Sequence, residues 1–509
     1  MEKHGAQRHR VLELLDHAGV IDRAVVKRVS KETGVPEADI WGAARFYTLL
    51  SRPSPGLRVC QSLSCQLAGA SHWLKELAAS GTPHEAVSCL GQCDRAPVAL
   101  GEDLSIIARS QRGAVSPDDP ELPINLGGAD DASYDALARA RAMAPDQILA
   151  EIQASGLQGR GGAGFPAHIK WRGVAGQAEA TRYLVVNADE GEPGTFKDRE
   201  VMLRRPHRMI EGMAIAALAV GAQVAYIYVR GEFPEERASL ERALEEAAGH
   251  LGGLEVRFVS GHGAYICGEE TALIESIEGR RGMPRLKPPY PTESGLFGKP
   301  TLMHNVETLA CVPSILLRGG AWFKAKGRTE AGSKLYCLSG HVQQPGIYEL
   351  PLGVSLDELV AAAGGYRGTP RAFSPGGSSS GFLPMSASDV PLDFKSLPAH
   401  GSMLGSAGVV VLDDSVDMAE AARWNAVFFE DESCGQCAPC RIGCTMMRQS
   451  IDRYLDSGDP SALDHTDDIG FEMEEGSICG LGMVAHLGLV SAKKHFPQEF
   501  ETRPKTEKK

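Results

Sequence analysis

Residues 183–198, YLVVNADEGEPGTFKD, decide the fold. An apolar, β-branched run breaks off into an acidic turn punctuated by glycine and proline. This is the pattern of a buried parallel strand whose C-terminal end opens on a ligand crevice. Taken alone, the segment is better read as a solvated acidic turn at the end of a buried strand. Its neighbours weigh against that: a helical pattern over 134–154, a glycine loop at 159–164, helices over 207–220 and 234–249, and the strands VAYIYV and LEVRFVS. Helix alternating with strand predicts a parallel α/β domain over residues 131–330.

Outward from this domain the pattern changes. Residues 1–52 carry helical spacing in Leu12, Leu15, Ile21, Val26, Val29, Ile40, Ala44 and Leu49, which predicts a small helical bundle. After RPSPG, residues 53–112 read as strand, helix and later strands, a compact α/β unit. The turn-forming, acidic stretch around 113–130 predicts a linker or an arm lying along a surface. Residues 331–415 open with KLYCLSGHV and close with GVVVLDD, so a small β-rich unit is expected. Residues 416–500 return to helix around a cysteine run, and 501–509 form a charged tail expected to be disordered.

Composition narrows the function. With 52 basic and 65 acidic residues in 509, the formal charge of −13 argues against a nucleic-acid binder and offers no basic patch for anionic lipid. The most apolar stretch, Met213 to Val229, contains Gly221 and Gln223 and then alternates, so it reads as buried helix plus strand with no membrane anchor. The start, MEKHGAQRHRVLELLD, passes from charge directly into an amphipathic helix, which reads as a cytoplasmic protein. Twelve cysteines in a reducing compartment, gathered at two places, point to metal or cluster ligation.

Cys434, Cys437 and Cys440 form CxxCxxC in ESCGQCAPCRIG, and Cys479 follows in GSICGLG. Three close thiolates and a remote fourth suit the corners of a [4Fe–4S] cube better than a structural zinc, which more usually shows paired CxxC knuckles. Cys444, one helical turn on, reads as a packed thiol. Near the N-terminus, Cys60 and Cys65, then Cys89 and Cys93 in CLGQCDRAP, suit a [2Fe–2S] rhomb. A zinc site, or an emptied domain whose cysteines only pack, remains open there.

The loop GLQGRGGAGFPAHIKW sets Gly159, Gly161, Gly162 and Gly164 between helical segments, where bare backbone N–H groups can approach a phosphate. The acidic turn offers Asn187, Asp189, Glu190 and Glu192 to ribityl or ribose hydroxyls. In GHGAYICGEETALIESIEGRRGMPRLKPPYP, Tyr265 and the pair Glu269 and Glu270 precede Lys287 and Tyr290, which could supply an aromatic face, hydroxyl acceptors and a cation near phosphate. Otherwise these are surface residues.

Together, GRGGAGFP…KW, NADEGEPGTFKDR, YICGEETAL, RLKPPYP, HNVET and ESCGQCAPCRIG resemble the NADH-oxidising flavoprotein subunit of respiratory complex I over about residues 130–495. The N-terminal cysteine unit resembles that module's small thioredoxin-like [2Fe–2S] subunit, fused in front. Such fusions resemble the beta subunits of soluble NAD-dependent formate dehydrogenases, and the diaphorase subunits of NAD-reducing hydrogenases. The compact length is most similar to the formate dehydrogenase case.

The resemblance implies a multidomain α/β protein with a thioredoxin-like domain, a parallel flavin domain, a ubiquitin-like β-rich domain and a helical cluster domain. It implies FMN held by Gly161, Gly162, Gly164, Lys170, Asn187, Asp189 and Asn305, with Gly159, Arg160, Ala163, Glu190, Tyr265 and Gly268 in the same cofactor site. NADH would be approached by Glu192, Glu269, Glu270, Lys287 and Tyr290, with Glu192 aligning the nicotinamide. The implied partners are a molybdenum- or tungsten-containing formate-oxidising subunit and a separate small [2Fe–2S] subunit. Two departures stand out. Gly173 replaces a ring-stacking phenylalanine expected two residues after Trp171, and the gap between Cys65 and Cys89 is short.

Overall fold

The computed structural model describes residues 7–51 and 56–503. At its centre lies a four-stranded parallel sheet in the order Glu255–Ser260, Val224–Val229, Tyr183–Ala188, Thr301–Asn305. Successive strand side chains point to opposite faces, and here both faces are buried in different cores. Leu184, Val186, Ala225, Ile227 and Leu302 pack beneath the domain's own helices. Val185, Tyr226, Tyr228 and Met303 pack in a second core with the N-terminal bundle and the C-terminal helices. The flavin-type sheet is therefore the shared floor of three units.

On the first face, helices Pro206–Val220 and Val306–Arg318 cross in close contact. Gly212 makes this possible: a Cβ there would lie 2.0 Å from the Leu309 carbonyl oxygen. The single helix expected over 134–154 is instead two, Asp135–Arg141 and Pro145–Ser155. Pro145 starts the second at N1 and pushes Ala144 into extended backbone, which ends the first.

The unit after the bundle is a mixed four-stranded sheet, in the order His84–Val87, Leu57–Cys60, Val98–Leu100, Ile106–Ala108, with helix Ala70–Ser80 against it. The β-rich unit has a six-stranded mixed sheet whose edge strand is Ala114–Val115, paired parallel with Gly346–Ile347. The segment over 113–130, read as a linker or a surface arm, thus joins that sheet through residues 114–115. Its backbone donors are met by Glu349, which accepts from Ile124 N at 2.9 Å and Asn125 N at 2.8 Å.

The C-terminal helices are Met418–Glu432, Ala438–Ser457, Thr466–Gly476, Gly480–Val484 and Leu487–His495. Beyond them, residues 501–503, expected to be disordered, are docked. Arg503 pairs with Asp417 at 2.5 Å and lies over the Tyr454 ring. The rest of the expected tail, 504–509, lies outside the described residues. Among the described residues, no helix is long and apolar enough to cross a membrane.

Glu349 is buried and also accepts from Ser333 Oγ at 2.7 Å. Removing it orphans buried donors, each worth about 1–3 kcal/mol. Glu349→Ala should release the 113–126 arm, read as faster amide exchange at Ile124 and Asn125. Unchanged protection there would contradict this role.

Candidate flavin and cluster sites

The strand Tyr183–Ala188 and its edge neighbour Thr301–Asn305 run in register to Asn187 and Asn305 at their C-terminal ends, where an open α/β sheet places its ligand. A cavity of about 860 Å³ opens there. The structure brings every residue nominated for the cofactor site to its lining except Arg160. The Arg160 side chain is fully buried behind the loop, donating to the Ala331 carbonyl at 2.7 Å, while its backbone N–H is held by Thr308 Oγ1 at 2.8 Å. Packing requires glycine at Gly161 and Gly164 of the loop, where a Cβ on Gly164 would meet the Phe394 ring at 2.6 Å. A Cβ on Gly161 would meet Asn305 Cβ at 2.8 Å, whereas one on Gly162 would stand in open space.

The acidic turn divides its labour. Asn187 donates to the Gly268 carbonyl at 2.9 Å and accepts from Asp189 N at 3.1 Å, bracing two cavity loops. Asp189 Oδ2 is buried without a partner, and burial pushes its carboxyl well above the usual range. Such an orphan fits an absent hydroxyl-bearing ligand. Glu190, by contrast, spends both oxygens on the N-terminus of helix Lys197–Arg204, accepting from Asp198 N and Arg199 N at 2.9 and 3.0 Å. Burial pushes its carboxyl up to about 7. Glu192 accepts from Ser379 N at 2.9 Å, from Ser379 Oγ at 2.8 Å and from the Tyr265 hydroxyl.

Across the cavity, Glu269 caps helix Glu270–Ile277 through Thr271 N and Ala272 N, both 2.8 Å away. Glu270 sits between Lys170 Nζ at 2.8 Å and Lys287 Nζ at 2.9 Å. Burial works against its charge, but the two ammoniums outweigh it and hold the carboxyl at about 2. Lys287 also reaches Glu269 at 2.9 Å. Tyr290 and Phe165, each about half exposed, present aromatic surface to the same cavity, which Gly173 also lines.

Three lining residues were not singled out from the sequence. Ser379 comes from a glycine-serine loop of the β-rich unit, nearly 190 residues from Glu192. His304 accepts from Trp171 Nε1 at 2.7 Å. The indole can only donate, so Nδ1 carries the imidazole proton. Burial, with Lys170 nearby, holds His304 neutral, down to about 3. Lys197 is fully buried, 2.7 Å from Asp198, 3.3 Å from Asn305 and 3.3 Å from Glu307.

Both cysteine sets assemble. Cys437 and Cys440 sit at the start of helix Ala438–Ser457, and Cys479 caps helix Gly480–Val484. The Cys434 thiol feels Cys440 and Cys437, and Cys479 feels Cys434. Cys479 also lines the large cavity. Cys444 lies inside its helix, 3.8 Å from Cys440, among buried apolar side chains. In the N-terminal set Cys60, Cys65, Cys89 and Cys93 are all buried, with Cys60 beside Cys65 and Cys89, and Cys89 3.8 Å from Cys93. Hydrogen bonding from Cys60 and burial push the Cys89 thiol up to about 12. Such thiols become thiolates only with a cationic centre among them. Gly194 N, in the acidic turn, donates to Cys93 Sγ at 3.3 Å.

Among the described residues, no three or more His, Cys, Asp or Glu converge closely enough for a single metal ion. The assignment of iron–sulfur clusters rests on similarity to known families. Residues 152–314 match the Nuo51 FMN-binding domain. Residues 420–503 match the NADH-ubiquinone oxidoreductase-F iron–sulfur binding region, and 1–111 the thioredoxin-like [2Fe-2S] ferredoxin. Residues 335–383 match the SLBB domain. The second F subunit of the NADH-quinone oxidoreductase of Rhizobium meliloti (strain 1021) is 48% identical over 371 residues, 70% of this chain and 88% of that protein. The chain belongs to the family of NADH-quinone oxidoreductase F subunits.

A Mycobacterium bovis member of the family is 46% identical over 386 residues, 72% of this chain and 86% of its own. An NAD+-reducing [NiFe]-hydrogenase structure in the H2-reduced state superposes with a TM-score of 0.90 at 32% identity, covering 97% of this chain and 93% of that one. The family matches put an FMN-binding domain, a [4Fe–4S] region and a [2Fe–2S] domain on one chain, the equipment of an NADH-binding diaphorase.

Because Gly162 faces open space, Gly162→Ala should fold normally yet weaken FMN about tenfold. Melting temperature and flavin released on denaturation check this. Full flavin retention would place the cofactor away from the loop.

Proposed function

We propose that this chain exchanges a hydride between NAD(H) and FMN, coupled to single-electron transfer through its clusters, as the diaphorase subunit of a cytoplasmic NAD-dependent formate dehydrogenase. Its partner would be a molybdenum- or tungsten-containing formate-oxidising subunit, with a separate small [2Fe–2S] subunit alongside. The observation that carries the diaphorase reading is one wall: Cys479 of the cube set lines the same cavity as the glycine loop and the acidic turn. FMN, when bound, supplies the exchange between two-electron and one-electron chemistry.

The chain's own groups bind and orient. Gly161 and Gly162 would leave backbone N–H groups free for the phosphate of FMN, and Asn187, Asp189 and Asn305 would hold its polar groups from the same cavity wall. Glu192, fixed by Tyr265 and Ser379, is set to align the nicotinamide. Lys170 and Lys287, already paired with Glu270, offset the charge of nucleotide phosphates. No side chain needs to move a proton for the hydride step.

Lys287→Met should raise the KM for NADH about tenfold while FMN content stays unchanged. An unaltered KM would remove Lys287 from the nucleotide site.

The fused, compact chain supports formate as the distal donor. The hydrogenase reading is favoured by a different observation, the near-complete superposition on the NAD+-reducing hydrogenase. Exposed Ile442, Met446, Phe471 and Met483 in the C-terminal helical unit, which also carries half-exposed Cys434 and Cys437, suit electron exchange with a partner subunit. The complex purified with its native partners should reduce NAD+ with formate and be inert to hydrogen. The reverse would make it a hydrogenase diaphorase.

A further inference from the structure

A second cavity, of about 740 Å³, is lined by Cys93 of the N-terminal cysteine set and shares no lining residue with the first. Its walls come from three units: Ser64 and Cys93 from the thioredoxin-like domain, Arg112 from the arm, and Gln343, Gln344 and Arg367 from the β-rich unit. Cys93 lines this cavity, and its sulfur also accepts from Gly194 N of the acidic turn.

The electrostatics of this cleft oppose those of the whole molecule. The chain carries a net −13, yet the one carboxylate in the cleft wall among the described residues, Asp94, is buried and consumed by Arg199 at 3.0 Å and by Gly113 N at 2.9 Å. Arg367 is exposed, and although it stands near enough to Asp413 to help lower that carboxyl, no carboxylate of the described residues lies within 4.0 Å of it. Arg112 is about one third exposed, with only long contacts of 3.7 Å to Glu200 and 3.6 Å to Glu235. Arg95 stands close enough to Arg112 for each guanidinium to feel the other. The remaining polar lining is neutral amide and hydroxyl, which hydrates readily and costs little to cover.

We propose that this cleft is a docking site for an acidic loop of a separate one-electron carrier protein, held by Arg112 and Arg367 beside Cys93. The proposal rests on the four-thiol set holding a [2Fe–2S] cluster. The volume admits a loop with a few side chains rather than a domain. Guanidiniums pair bidentately with carboxylates, and a local positive spot on an acidic protein steers an acidic partner to one place. Exchange there is balanced: one electron passes between the carrier's iron and the cluster, and no atom or proton moves.

The test uses the full-length, cofactor-loaded protein and, as probe, an acidic plant-type [2Fe–2S] ferredoxin. Stopped-flow mixing at low and high salt gives the association rate, and binding is measured separately by calorimetry. Arg367→Glu, and Arg367→Gln as the milder variant, should slow ferredoxin association about tenfold or more at low salt, with the difference vanishing at high salt. The [2Fe–2S] electron paramagnetic resonance signal and NADH–ferricyanide activity should not change. Equal rates in wild type and variants, at an intact cluster signal, would overturn the proposal. So would inorganic phosphate binding as tightly as ferredoxin and being lost in the same variants, since the cleft would then be a small-anion site. A missing cluster signal in the wild type would instead remove the cluster on which the proposal stands.

Discussion

Two guanidiniums sealed from solvent tie the protein together. Arg199, fully buried, binds Asp94 through both terminal nitrogens at 3.0 Å and also reaches the Gly91 carbonyl. Arg230 joins the Cys89 carbonyl to the Glu190 carbonyl. Between them they fasten the loop bearing Cys89 and Cys93 to the turn that walls the flavin cavity. Breaking a buried pair of this kind from one side typically costs about 3–5 kcal/mol, so the N-terminal domain is built into the flavin domain rather than appended to it.

The same economy of space appears in the central sheet. Its alternating side chains serve two cores, one belonging to the flavin domain and one shared with the bundle and the C-terminal helices. One thiol set reaches the crevice wall and the other reaches the acidic turn behind it. Cys479 lines the cavity itself, and Cys93 receives a hydrogen bond from Gly194 in the acidic turn. A donor of two electrons and acceptors of one are thereby brought within contact of shared backbone, which is the arrangement a diaphorase needs.

Much of this was legible in the sequence, because strand ends, glycine loops and cysteine spacings are local signals. Asn187, Asp189 and Glu192 follow directly from a strand that stops in an acidic turn. What escaped is non-local. Ser379 reaches Glu192 from another unit, His304 gains its neutrality only from burial beside Trp171, and Lys197 is fixed by Glu307 and Asn305 across the fold. The Arg160 side chain lies outside the cavity because side chains flanking a glycine loop can face either way, and here packing behind the loop takes it. The arm over 113–130 carries no apolar period. It is ordered by backbone pairing and by the distant Glu349, neither of which leaves a trace in local sequence.

The central claim is that one chain holds a flavin and two clusters in electronic contact with a nicotinamide site. Cofactor analysis of anaerobically purified protein tests it most directly, by counting released FMN and iron and following the visible spectrum on addition of NADH. One FMN with about six irons per chain, and bleaching by NADH, is the expected result. Absence of flavin together with a spectrum unmoved by NADH would contradict the account.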